Sequence, residues 1–252
     1  DYNGVGCYQR SFTVPADWKD KNITLHFGGV SSAYKVWVNG KFLGYAEDSF
    51  LPSEFNITPY LQDGENIVSV WVIRWSDGSF LEDQDQWRLS GIHREVYLMA
   101  EPKLRIADFF YQTKLDKNYE DAILSIRPRL ENLTGKEVPG FVVKAQLYDA
   151  DNKAVLKDAL KITADAIINE IHPRLDRVKF GLLETTIASP KKWSTEEPNL
   201  YTLVLSLEDS TGNIWEAKSC KLGFRSMEFR KSDSKLLING KETYLYGVNR
   251  PD

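Results

Sequence analysis

The stretch Tyr34-Lys35-Val36-Trp37-Val38-Asn39-Gly40-Lys41-Phe42-Leu43-Gly44-Tyr45 puts Tyr34, Val36 and Val38 on one side of an extended chain and Lys35 and Trp37 on the other. Asn39-Gly40 then supplies the two positive φ angles that a two-residue hairpin turn demands. The stretch therefore predicts a hairpin with arms at 34–38 and 42–45. The same period of two, with β-branched and aromatic residues between Gly, Pro, Asn and Asp, recurs at 10–14, 23–27, 67–73 and 94–98. Residues 15–18 and 52–61 interrupt the pattern, and Thr58-Pro59 predicts a short helical turn.

Composition resets near Ala100-Glu101-Pro102, and a second strand series opens at about 104. It continues at 123–130, 141–148, 154–162, 177–183, 201–208 and 215–223. Seven strands in that length predict an immunoglobulin-like or fibronectin-like sandwich, without the Cys, Trp, Cys spacing of antibody domains. After Phe224 come residues 236–238, a second Asn-Gly turn at Asn239-Gly240 and a strand expected at 244–246. That last apolar piece reads as the first element of a third domain. The expected division is 1–101, 102–224 and 225–252, in an all-β chain.

Of the 252 residues 42% are hydrophobic and 27% charged, a globular balance. The formal charge of -4, with 32 basic against 36 acidic residues, offers no field for nucleic acid. Apolar runs such as 68–73 fall far short of the ~20 residues that span a bilayer. The two cysteines, Cys7 and Cys220, fall in different predicted domains and read as buried free thiols. His26, His93 and His172 have no partner at metal-ligand spacing. No Gly-x-Ser-x-Gly elbow occurs, and Asn3-Gly4-Val5-Gly6 lacks the strand and helix that a phosphate cradle needs. Gly4 and Gly6 read as a flexible or tightly turning entry to the first strand.

The informative loop is residues 75–92, expected to be free of strand. It carries four carboxylates between Asp77 and Asp85, flanked by Trp75 and Trp87. Aromatic faces with carboxylate acceptors are how proteins meet sugars, and long loops carry function. An acidic solvated face closed by Arg88 and Arg94 accounts for the same composition, and a calcium loop is a weaker third reading because the ligand spacing differs. Trp75 and Trp87 read as packing residues of the loop before sugar platforms.

Gly6-Cys7-Tyr8, residues 27–33, Trp37-Val38-Asn39-Gly40, Gly44-Tyr45, Asp48-Ser49, residues 51–55 and the stretch 75–94 resemble the N-terminal domains of glycoside hydrolase family 2. Within it they are most similar to the large multidomain β-galactosidases. Residues 190–193, 197–201, Gly223-Phe224-Arg225 and Gly247-Val248-Asn249-Arg250 continue the resemblance in order, whereas 103–183 adds little.

The resemblance implies a jelly-roll, galactose-binding-like sandwich, an immunoglobulin-like sandwich and a stub of a (β/α)8 barrel that is missing here. Retaining hydrolysis uses two carboxyl groups about 5 Å apart. In the family both are barrel glutamates, so no catalytic residue is expected in this chain. Asn3 and Asp85 match residues of the galactose site, Arg250 is a weaker substrate-site support, and Asp85 matches a sodium ligand. No cofactor is expected in this piece; sodium and magnesium are implied for the complete enzyme.

The implied partners are a β-galactoside and further copies in a homo-oligomer, with neither nucleic acid nor membrane, in a cytoplasmic or periplasmic bacterial-type setting. Pro251 stands where the large β-galactosidases place a histidine, which leaves open a different family 2 specificity. A stand-alone carbohydrate-binding module and a purely structural tandem sandwich are the rivals.

Overall fold

The computed structural model describes residues 2–82, 88–170 and 181–248. They fold as two compact units, one ending at Pro102 and the other spanning Lys103–Val248.

In the first, the strands run β1 (Val5–Thr13), β2 (Asn22–Phe27), β3 (Val30–Ser31), β4 (Ala33–Val38), β5 (Lys41–Glu47), β6 (Ser53–Asn56), β7 (Glu65–Ile73), β8 (Gly91–Ile92) and β9 (Val96–Glu101). Helical turns occupy Ala16–Trp18 and Thr58–Tyr60, and a short helix, α1 (Gly78–Leu81), follows β7. One antiparallel sheet has the order β1-β7-β4-β5 and the other β6-β2-β9, while β3 and β8 pair separately. The chain passes back and forth between the two main sheets, making a jelly-roll sandwich.

Alternation decides which face turns inward. Tyr34, Val36 and Val38 of β4 and Val70 and Val72 of β7 meet Ile23, Leu25 and Phe27 of β2 in one buried cluster. The hairpin predicted at Asn39-Gly40 forms with φ of 50° and 74°. Its Asn39 side chain also stitches neighbours together, donating to Tyr60 O at 2.9 Å and Asn66 Oδ1 at 2.8 Å and accepting from Ile67 N at 2.9 Å.

The second unit holds a sandwich whose described elements are β10 (Leu104–Leu115), β11 (Ala122–Asn132), β12 (Val142–Tyr148), β13 (Leu160–Thr163), a short helix α2 (Ala164–Ile168), β14 (Leu183–Ile187), β15 (Tyr201–Glu208) and β16 (Ile214–Leu222). A three-stranded sheet, β10-β11-β14, faces a four-stranded one, β13-β12-β15-β16. This is the immunoglobulin-like arrangement in its fibronectin form. With no disulfide, the core is apolar packing, including Leu104, Ile106, Leu124, Ile126, Leu203 and Phe224. At the edge of that core Glu208 is hydrogen-bonded to Lys144, which holds its carboxyl below the usual range despite burial. A further antiparallel sheet, β17 (Met227–Arg230), β18 (Lys235–Ile238) and β19 (Lys241–Glu242), ends the unit.

Several expectations need correction. Cys7 is exposed rather than buried, because it pairs with Trp71 on the outer face of the sheet, opposite the face on which Val70 and Val72 are buried. Cys220 is half-buried, and that burial raises its thiol pKa. Gly6 belongs to β1 instead of a loose entry, paired opposite Val72. The strand expected at 154–162 is β13 alone, preceded by an isolated Tyr148–Ala154 bridge. Of the strand expected at 177–183, residues 177–180 lie outside the described residues, and the strand that pairs with β11 is β14, where Leu183 and Ile187 point inward around Glu184-Thr185-Thr186.

Residues 244–246 are not a strand either. The hairpin partner β18 begins at Lys235, so after Thr243 N donates to Leu236 O the ladder has at most one more rung, opposite Tyr244, to offer.

Candidate functional site

The quoted loop is not wholly irregular. It begins where the β1–β7 ladder runs out, contains α1, and ends on β8, which pairs with β3. Asn3 prolongs the ladder with its side chain. Nδ2 donates to Trp75 O at 2.8 Å and Oδ1 accepts from Trp75 N at 3.0 Å, next to the Arg74 N to Gly4 O bond of 3.1 Å. The amide thus imitates a backbone pair and clamps the loop's first residue. One N–H and one lone pair of Asn3 remain for another partner. An Asn3→Asp replacement turns the donor into an acceptor facing Trp75 O. It is expected to destabilise the first unit by about 1 kcal/mol, the low end of the roughly 1–3 kcal/mol that an unmatched polar group costs, because the pair is reached by solvent. Urea unfolding checks this.

Beyond the clamp, serines form the floor. Ser32, buried at the start of β4, places its hydroxyl 3.2 Å from Arg74 O and 3.0 Å from Ser76 Oγ. Ser76 N is capped by Ser79 Oγ at 3.1 Å. On the return side Ser90 Oγ donates to Ser31 O at 3.2 Å and His93 N to Gly29 O at 3.3 Å.

Of the four carboxylates, Asp77 is exposed before α1 and caps nothing with its side chain. Glu82 turns inward onto Ser49. Asp83 and Asp85 lie outside the described residues, as do Trp87, Asn249, Arg250 and Pro251. Arg94 was a candidate to close an acidic face. Instead Nη1 donates to Phe50 O at 2.5 Å, with the guanidinium 6.0 Å from the Phe50 ring. Trp75 is half-buried beneath the Arg74 guanidinium, 5.1 Å from its ring. Near the loop's start Tyr45 donates to Glu47, and burial together with the Glu47 and Asp77 carboxylates pushes the phenol up to about 12.

Ser31, Ser32, Ser49, Glu82, Arg88 and Ser90 help line a cavity of about 50 Å³. That is room for a water or two among polar partners and far below the ~300–1,000 Å³ of ligand pockets. The first unit also has an open groove of about 480 Å³ between β1 and β9, lined mainly by aliphatic and aromatic side chains such as Phe12, Leu25, Phe27, Val70 and Leu98. Its lining does not match the hydroxyl-reading chemistry of the loop. Among the described residues no three His, Cys, Asp or Glu side chains gather as a metal site, and no helix is long and apolar enough to cross a membrane.

Sequence reasoning missed Gly28-Gly29, Ser31-Ser32 and Ser49 as supports of the loop. A Cβ on Gly29 would lie 2.8 Å from His93 Nε2 and 2.9 Å from both Arg94 Cδ and the backbone oxygen of Ser49. Gly29→Ala therefore pushes this segment away from the Ser49 turn and from His93 and Arg94, which follow the loop's end. It is expected to cost about 1–3 kcal/mol of stability, read from urea unfolding.

Comparisons with known proteins agree along the whole chain. Residues 1–102 match "Glycosyl hydrolases family 2, sugar binding domain", and residues 104–225 match "Glycosyl hydrolases family 2". A protein named beta-galactosidase from Priestia megaterium is 47% identical over 249 residues, covering 99% of this chain, and one of the same name from Vibrio cholerae is 42% identical over 248. The chain spans 23% of the length of each of these curated relatives. Among solved structures, a beta-glucuronidase from Bacteroides uniformis superposes with a TM-score of 0.79 at 25% identity, covering 98% of this chain and 29% of that one. A beta-glycosidase from Bacteroides vulgatus does so with a TM-score of 0.75 at 27% identity, covering 97% and 29%. Two successive matches to one family, reaching from residue 1 to residue 225, and a fold shared with its solved glycosidases mean that the chain belongs to glycosyl hydrolase family 2.

Proposed function

We propose that this chain forms the pocket rim of a β-galactosidase that hydrolyses terminal β-D-galactosides with retention. The supporting observation is the 47% identity to a beta-galactosidase along nearly every residue, whereas the solved beta-glucuronidase with this fold shares 25%. Two glutamates of a barrel absent from these 252 residues supply the acid/base and the nucleophile. Asn3 and Asp85 meet the galactose, with Arg250 in support. Asn3 brings the donor and acceptor left over from its clamp, and Asp85 brings a carboxylate that reads sugar hydroxyls and contributes to a sodium site; magnesium belongs to the barrel. The working enzyme is a homo-oligomer.

The test compares chromogenic β-galactoside and β-glucuronide in the full-length protein. A kcat/KM at least about 100-fold higher for the galactoside is expected, because a site built to hydrogen-bond one hydroxyl pattern strongly rejects another. Preference for the glucuronide overturns the reading, as does appreciable turnover by residues 1–252 alone. The matched description "sugar binding domain" favours a second reading, a carbohydrate-binding module. Titration calorimetry with galactose on this chain decides it, since micromolar affinity would speak for the module.

A further inference from the structure

Between the end of β7 and the start of α1, every backbone hydrogen-bonding group of residues 74–76 has a partner. Arg74 N donates to Gly4 O at 3.1 Å, and Ser79 ties off the far side, accepting from Ser76 N on its Oγ at 3.1 Å and donating its own N–H to Ser76 O at 3.1 Å. Both groups of Trp75 go to the Asn3 amide. The remaining carbonyl, Arg74 O, faces the hydroxyl of Ser32 at 3.2 Å. Ser32 sits between β3 and β4 and is only 3% exposed. Ile73 O, 3.4 Å from the same hydroxyl, already accepts from the Ser32 N–H at 3.2 Å. Ser32 Oγ also lies 3.0 Å from Ser76 Oγ. With the single hydroxyl proton of Ser32 on Arg74 O, the Ser76 hydroxyl is the donor of that second bond. One buried side chain thus grips the residues on both sides of Trp75.

The grip matters because of what Trp75 does to Asn3. Two bonds to one residue's backbone fix which end of the Asn3 amide is oxygen and which is nitrogen; turned over, the amide would set N–H against N–H and oxygen against oxygen. Its outward edge therefore shows the spare lone pair and the spare N–H in one order. We infer that Ser32 is a positioning residue for the sugar site. By holding the 74–76 turn it fixes the orientation in which Asn3 meets substrate hydroxyls, and so sets affinity without touching substrate. This rests on the proposed role of Asn3. Where the turn is loosened, Asn3 is correctly set in only a fraction of molecules, and the apparent dissociation constant rises by the inverse of that fraction. Substrate bound against a correctly set amide reacts as before.

The test uses Ser32→Ala and Asn3→Ala, singly and together, in the full-length protein. Ser32→Ala is expected to raise KM for a chromogenic β-galactoside by about 5-fold with kcat held within about twofold. In the Asn3→Ala background the same replacement is expected to change KM by less than about 1.5-fold, because no amide is left to position, whereas a general loosening of the unit would act in both backgrounds. A readout independent of turnover is the side-chain amide signal of Asn3 in the NMR spectrum of the 252-residue chain. Its bonded and spare protons are expected to be well separated in the wild type and to move toward each other in Ser32→Ala. Ser32→Cys, close in size and with only a weak S–H donor, replaces Ser32→Ala in both experiments if the alanine variant does not fold. An unchanged KM, a loss confined to kcat, the same fold-change in both backgrounds, or an Asn3 signal that does not move each overturns the inference. If the wild-type enzyme hydrolyses no β-galactoside, the functional reading fails while the spectrum still judges the clamp.

Discussion

Phe27→Ala is expected to remove about 3–5 kcal/mol of stability from the first unit, enough to leave much of it unfolded at 37 °C if its total lies at the lower end of the usual range. Phe27 is 1% exposed at the end of β2. Its ring stands 5.0 Å from Tyr34 of the facing sheet and 6.1 Å, edge-on, from Phe55 of its own. Tyr34 and Phe55 also meet edge-on at 6.2 Å, so the three rings form one cluster bridging both sheets. Burial raises the Tyr34 phenol above its ordinary value, partly offset by a hydrogen bond with Ser53. Gly44 leaves the room Phe55 occupies, since a Cβ there would come within 2.6 Å of Cε1. Removing Phe27 empties the middle of a jigsaw whose neighbours are fixed on β4, β5 and β6, so little collapse can fill the void. Urea unfolding followed by tryptophan fluorescence measures the loss, because five of the seven tryptophans, Trp18, Trp37, Trp71, Trp75 and Trp87, belong to this unit. A cost below about 1 kcal/mol would mean that the cluster is not the keystone of the sandwich.

The second large effect concerns chemistry. On the function proposed above, Asp85→Ala in the full-length protein is expected to lower kcat/KM for β-galactosides by about 10- to 100-fold. A carboxylate accepting from a sugar hydroxyl makes a charge-assisted bond of about 1.5–3 kcal/mol, and part of that is realised only as the transition state forms. Asp85→Asn keeps one acceptor and should fall between the two. Kinetics within about twofold of wild type in Asp85→Ala would remove this residue from the site.

How much of this was visible beforehand follows from the range of the interactions. The Asn39-Gly40 hairpin and the inward faces of β2, β4 and β7 are written in local period and turn chemistry, and the sequence read them directly. The strand ends at β1, β13 and β14 depend on which partner continues the ladder, information held elsewhere in the chain, and local pattern does not reach them. The exposure of Cys7 has the same origin, since it is the register with β7 that sets Cys7 beside Trp71 on the outer face. In the loop, composition identified an acidic, aromatic segment but could not sort its carboxylates. Only the fold brings Ser49 to Glu82, and only the fold lays Asn3 against Trp75 across 72 residues.

The chain contains three Asn-Gly pairs, at residues 3–4, 39–40 and 239–240. Such pairs are where proteins age fastest, because the glycine nitrogen closes onto the side-chain carbonyl carbon to expel ammonia. Here each side chain is tethered to distant backbone. Asn3 holds Trp75, Asn39 holds Tyr60 and Ile67, and Asn239 accepts from Ser226 N at 2.9 Å while donating to Trp193 O at 3.0 Å. Ring closure to the succinimide would have to break those tethers first. Deamidation at all three positions is thereby coupled to local unfolding, and the appearance of aspartate or isoaspartate there records how often each turn has opened.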